Sequence, residues 1–169
     1  MKLVIEKLPD LKALYIEQLR LLLSGEEMLV RAVPRMIEAA GDAQLKEAFQ
    51  SHFQETEVQM ARLRDILARI ADDPSPLKCK SIGTLIDEAD DAIKNATHPP
   101  VRDAALIAAA QRIEHYEIAS YGAVRDFARV LGLDQDASLL NQTAEEEGHA
   151  DHLLSSIAER VNPSARHAA

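Results

Sequence analysis

The chain has 169 residues, enough for one domain with a buried core and short for two. Asp and Glu outnumber Lys and Arg by 28 to 19, a net charge of -9, and no basic block is present to neutralise a phosphate backbone, which argues against nucleic acid as a partner. No apolar run reaches the ~18 residues of a membrane span, the opening MKLVIEKLPD lacks a secretory-signal pattern, and a single cysteine leaves no internal disulfide, so a cytoplasmic location and no membrane partner are expected.

Abundant Ala, Leu, Glu and Arg, few aromatics and no tryptophan predict an all-α chain. A first helix is expected from about Asp10 to Ala40, with Leu11, Leu14, Tyr15, Leu19, Leu22, Leu23, Leu29, Val33 and Ile37 at helical spacing and a kink at Pro34. Gly41 and Asp42 read as a stop and a new start, and a second helix runs from about Gln44 to Ala71. Residues 72–98 form a connection containing one short amphipathic helix, about 81–95, and Cys79 reads as an incidental small residue in its polar part. A third long helix starts near Pro100 and ends near Leu131. A fourth continues to about Val161, giving one domain over residues 1–162 and a frayed tail over 163–169.

Long helices of about 28 residues would each span about 40 Å. Short hinges at Gly41 and Gly132 impose antiparallel hairpins, and the long middle segment can cross the length of the bundle. The expected fold is therefore an antiparallel four-helix bundle with one long crossover carrying a short extra helix, the ferritin-like arrangement.

Sliding the chain against itself by 91 residues lays the first half on the second, with twelve identities over residues 9–70. Two of them are Glu26/Glu117 and Glu55/Glu146. Each pair of glutamates within a hairpin is centred on the hinge glycine, so pseudo-twofold packing would bring all four to one level. Four carboxylates in an apolar core need a counter-charge, and two divalent metal ions would supply it. Glu146 and His149 have the Glu-x-x-His spacing of dinuclear carboxylate sites. In the other half Val58 stands where the second histidine would be, while His52 lies one turn before Glu55. Glu114, one turn before Glu117, is a candidate bridging carboxylate. Neither a phosphate-binding glycine loop nor a nucleophile motif is present.

The segments VRDAALIAAAQRIEHYEIASYG, HFQETEVQMARL, LLNQTAEEEGHADHLL and LKCKSIGTLIDEADD closely resemble the YciF/YciE family of bacterial stress-induced ferritin-like proteins, over roughly residues 8–162. The resemblance implies a rubrerythrin-like fold with an extra short helix, and a homodimer. Carried over by residue, it implies metal-site positions at Glu26, His52, Glu55, Glu114, Glu117 and Glu146. His149 departs from the family pattern, where Thr or Met stands, and would add a ligand of its own. Two functions compete. One is a stress-response protein with two bound divalent ions, iron or manganese or a mixed pair, oxidising ferrous iron or reducing peroxide or oxygen. The other is a non-enzymatic helical stress protein acting through dimerisation or partner binding, with a vestigial site. An iron-storage cage is a third, weaker reading.

Overall fold

A computed structural model of the chain describes residues 7–166. It contains five helices, α1 (Leu11–Ala39), α2 (Ala43–Ile70), α3 (Lys80–Asn95), α4 (Pro99–Val130) and α5 (Asp134–Ala165), and no strand among the described residues. The four long helices have 28 to 32 residues and are about 42 to 48 Å long. They pack in a ring, α1 on α2, α2 on α5, α5 on α4 and α4 on α1, and α3 lies across α1 and α4.

The helix ends follow local chemistry. Asp10 accepts the Ala13 N–H at 2.8 Å, and Asp42 accepts the Gln44 and Leu45 N–H groups at 3.0 Å, each satisfying donors that a helix start leaves free. The α4–α5 turn closes at Gly132, whose φ of +72° is the left-handed conformation that a Cβ would disfavour. α1 continues through Pro34. α5 likewise continues through Pro163 to Ala165, so the start of the expected frayed tail is helical: a proline in an exposed last turn forfeits a bond that water replaces. Residues 1–6, which bear on the signal-sequence expectation, and residues 167–169 lie outside the described residues.

The crossover is anchored at both ends. Arg20, buried in α1, donates to the Ser75 carbonyl at 2.7 Å and to Asp73 at 3.0 Å. At the far end Asp103 in the first turns of α4 accepts the Gly41 N–H at 2.8 Å and the Asp42 N–H at 2.9 Å, and Arg102 donates to the Ala39 carbonyl at 2.9 Å. Between them α3 comes close to α1 at Gly25, where an added Cβ would sit 3.2 Å from Ile82. Cys79, expected in a polar linker, is instead buried at the start of α3, its sulfur 3.5 Å from the Tyr116 hydroxyl.

The apolar interior forms two clusters. One holds Leu29, Val33, Met36, Phe49, Ile82, Ile107, Ile113, Leu154 and Ile157, and the other Tyr15, Leu19, Leu23, Leu63, Ile66, Tyr121, Val124 and Leu140. What lies between them is polar. Because Asp103 is buried and satisfies two backbone donors of the α1–α2 hinge, Asp103→Ala is expected to destabilise the fold by about 2 kcal/mol. Thermal or urea unfolding of the variant against the parent chain measures this directly.

Candidate metal centre

The layer between the two apolar clusters is built from one stripe of each long helix. On α4, Glu114, Glu117 and Tyr121 occupy successive turns of the buried series that runs from Asp103 through Leu106, Ala110 and Ile113 to Val124 and Ala128. α2 contributes His52, Thr56 and Gln59, α5 contributes Thr143 and Glu147, and α1 contributes Glu26. All nine of these side chains belong to the buried face of their helices.

Donor atoms of His52, Glu114, Glu117 and Glu147 all lie within 4.8 Å of one another. That span is close to the ~4.2 Å diameter of an octahedral shell with ~2.1 Å bonds. His52 Nε2 is 3.5 Å from Glu114 Oε1, and Nδ1 is 3.8 Å from Glu147 Oε2 and 3.9 Å from Glu55 Oε2, contacts too long for hydrogen bonds. Glu26 borders the group and accepts a hydrogen bond from the Tyr121 hydroxyl. Among the described residues, six buried carboxylate oxygens have no hydrogen-bond partner: Oε2 of Glu26 and of Glu114, and both oxygens of Glu117 and of Glu147. His52 Nδ1 and Gln59 Oε1 are also without one. Buried polar atoms are nearly always paired, and leaving one unpaired costs about 1–3 kcal/mol. Orphans gathered at a single level and dominated by carboxylate fit a divalent cation.

Protons are the alternative counter-charge. Burial pushes the Glu117 carboxyl well above the ordinary range, with Glu26 and Glu147 adding to the effect, and raises Glu114 although His52 opposes it. Burial brings Glu147 to about 10 and Glu26 to about 7, the Tyr121 hydrogen bond holding the latter back. Burial alone would lower His52, but the carboxylates of Glu114, Glu55, Glu147 and Glu26 outweigh it and raise it to about 10. Tyr121 is held in its neutral form, by burial first and then by Glu26.

Of the seven sequence-derived candidates, Glu26, His52, Glu114 and Glu117 come together in this layer, and Glu55, Glu146 and His149 do not. Glu146 faces Arg62, whose two guanidinium nitrogens pair with its carboxylate at 2.5 and 2.9 Å, and burial is outweighed so that Glu146 stays below the ordinary carboxylate range. The Glu55 side chain is 44% exposed and His149 is exposed. Glu147, which the sequence reading passed over, takes the inward place. The signal was available: Leu140, Thr143, Glu147, Leu154, Ile157 and Val161 continue the helical period of the buried face, and Glu146 lies 100° off it. The 91-residue offset survives this change, since Thr56 on α2 is the mate of Glu147 and both are buried. With Glu147 inside, the residue three further on is Ala150, so neither half carries Glu-x-x-His and His52 is the one imidazole of the cluster.

A family model described as a domain of unknown function, DUF892, matches residues 10–166. The chain belongs to this family. Protein YciF of Escherichia coli strain K12, a curated relative, is 39% identical over 148 residues, covering 86% of this chain and 89% of YciF. The crystal structure of the E. coli stress protein YciF superposes with a TM-score of 0.88 at 36% identity, over 92% of this chain and 99% of that one. YcfI from Rhodopseudomonas palustris superposes with a TM-score of 0.84 at 34% identity, over 92% and 97% of the two chains. The DUF892 assignment thus accords with the resemblance read from the sequence, and the all-helical fold is shared with YciF.

A pH dependence follows from the shifted groups. Carboxylates raised above their unfolded value of 4.5 favour the metal-free fold when protonated, so its stability is greatest at low pH and falls as pH rises through about 7 for Glu26 and about 10 for Glu147. Chelator-treated protein is expected to melt progressively lower from pH 6 to pH 9. Glu147→Gln removes a cost of up to about 3 kcal/mol at pH 7 and is expected to flatten that decline in thermal melts.

Proposed function

We propose that this DUF892 protein is a ferritin-like metalloprotein that holds two divalent ions, iron or manganese, between its four long helices, and that the centre oxidises ferrous iron or reduces peroxide or oxygen. The observation that carries this reading is the set of six partnerless buried carboxylate oxygens around His52. Oxygen and imidazole donors suit iron and manganese, and the one thiol, Cys79, is turned to the Tyr116 hydroxyl. The ions would supply one-electron redox chemistry toward oxygen species.

The chain's own residues would do the rest. Glu117, Glu147 and Glu114 would bind and bridge, giving up their protons as the ions arrive. Glu26 would bind from the α1 side, its carboxylate oriented by the Tyr121 hydroxyl, which reaches it from the next turn beyond Glu117. His52 would contribute the imidazole. The flanking apolar clusters shield the layer from water above and below, which strengthens the charge interactions inside it. Homodimerisation and a cytoplasmic location accompany this reading. Stress function is a property named for YciF, and a protective role under oxidative stress fits redox chemistry at such a centre.

A second reading rests on a specific feature. Ferritin-like dinuclear sites pair four carboxylates with two histidines, and this chain offers four buried glutamates with a single imidazole. The site would then bind metal as a structural clamp without turnover, in a protein that works through a partner, and the name given to YcfI points to a structural role for that relative.

Protein purified without chelator, loaded anaerobically with ferrous iron and then exposed to peroxide, separates the two. Two irons per chain with a change in near-ultraviolet absorbance on oxidation is the result expected for the redox protein. Stoichiometric metal with no peroxide consumption supports the clamp, and absence of bound metal overturns both. Glu117→Gln and Glu147→Gln are expected to weaken metal binding at least tenfold by titration calorimetry, whereas Glu146→Gln leaves it within about twofold.

A further inference from the structure

A cavity of about 100 Å³ opens between α2 and α5 and ends at the cluster. Burial changes steadily along it: Ser51, Glu55, His149 and Leu153 at its outer lip are exposed or half-exposed, and His52 and Glu114 at its inner end are buried. A divalent ion using this route can exchange waters of its shell for donors on the wall.

Those donors stand in sequence. Glu55 presents its carboxylate at the lip, and the partnerless Nδ1 of His52, a residue more than nine-tenths buried, lies 3.9 Å from Glu55 and 3.8 Å from Glu147 inside the centre. On the side of Gln59 and Glu146 the Arg62 guanidinium stands against the layer, and it repels cations.

We propose that the α2–α5 cavity is the path by which divalent cations load the centre, with Glu55 and His149 as a transient outer binding site and His52 as the group that passes the ion inward. Resting on the metal-centre reading, the proposal gives the sequence's two displaced candidates, Glu55 and His149, a role outside the resident shell. A transient site speeds passage both ways and leaves the equilibrium alone. A wall residue that is not a donor should then act by size alone, and the half-buried Ala150 lines the cavity.

The test follows anaerobic loading of the metal-free protein with Co²⁺ alone by stopped-flow visible absorbance, and its removal by chelator, with Kd from titration. Glu55→Gln and His149→Ala are each expected to slow loading and removal threefold or more by the same factor, with Kd within twofold of the parent chain. Ala150→Leu, which touches no donor, is expected to slow both at least tenfold. Unchanged loading rates in all three variants overturn the path. A loss of affinity in Glu55→Gln as large as in Glu117→Gln overturns the transient role and makes Glu55 a resident ligand. If the parent chain takes up no Co²⁺, the metal-centre reading falls, and the path with it.

Discussion

The desolvation of four glutamates at one level of the core is the constraint on which the rest of this structure turns. Each of Glu26, Glu114, Glu117 and Glu147 is at least 97% buried, and His52 is the imidazole that reaches Glu114 and Glu147. An ionised carboxylate without a partner in such surroundings costs several kcal/mol, so the layer must take up protons or cations. The fold holds it in place from both sides, with an apolar cluster above and below.

Beside this layer a half-buried ion pair holds Glu146 out of it. Arg62 draws Glu146 to the surface side of α5, with Gln59, Gln142 and Thr143 sharing the same network. Glu147, its neighbour in sequence and 100° round the helix, faces inward. The two adjacent glutamates thus have opposite fates, one lowered and one raised in acidity range by what they face. On the α4 side Tyr121 plays a supporting part, since its buried hydroxyl donates to Glu26 and fixes which of the Glu26 oxygens remains open.

The internal repeat is reliable as a guide to register, but the glutamates it pairs by identity are not all buried. Glu26 and Glu117 are equivalent and both buried, as are Thr56 and Glu147 and, one turn earlier, His52 and Thr143. The chain has kept the positions while changing the residues on them, so identity between the halves singled out Glu55 and Glu146, which lie one residue off the buried stripe. The Glu-x-x-His spacing at Glu146 and His149 reinforced that reading although both side chains face outward from the cluster. Periodicity within α5 alone, from Leu140 to Val161, would have chosen Glu147.

Sequence by itself determined the helical class, the four long helices and the short one, and the hinges at Gly41 and Gly132, because these depend on local period, capping and glycine conformation. It also determined that Glu114 and Glu117 share a face, a matter of one helical turn. Only the tertiary structure decided that Cys79 is buried against Tyr116, that Arg62 claims Glu146, and that Glu147 joins His52 from a helix ninety-five residues away. Those outcomes rest on the rotation of each helix about its axis, which is set by how facing side chains pack, and 100° of rotation exchanges one glutamate for the next.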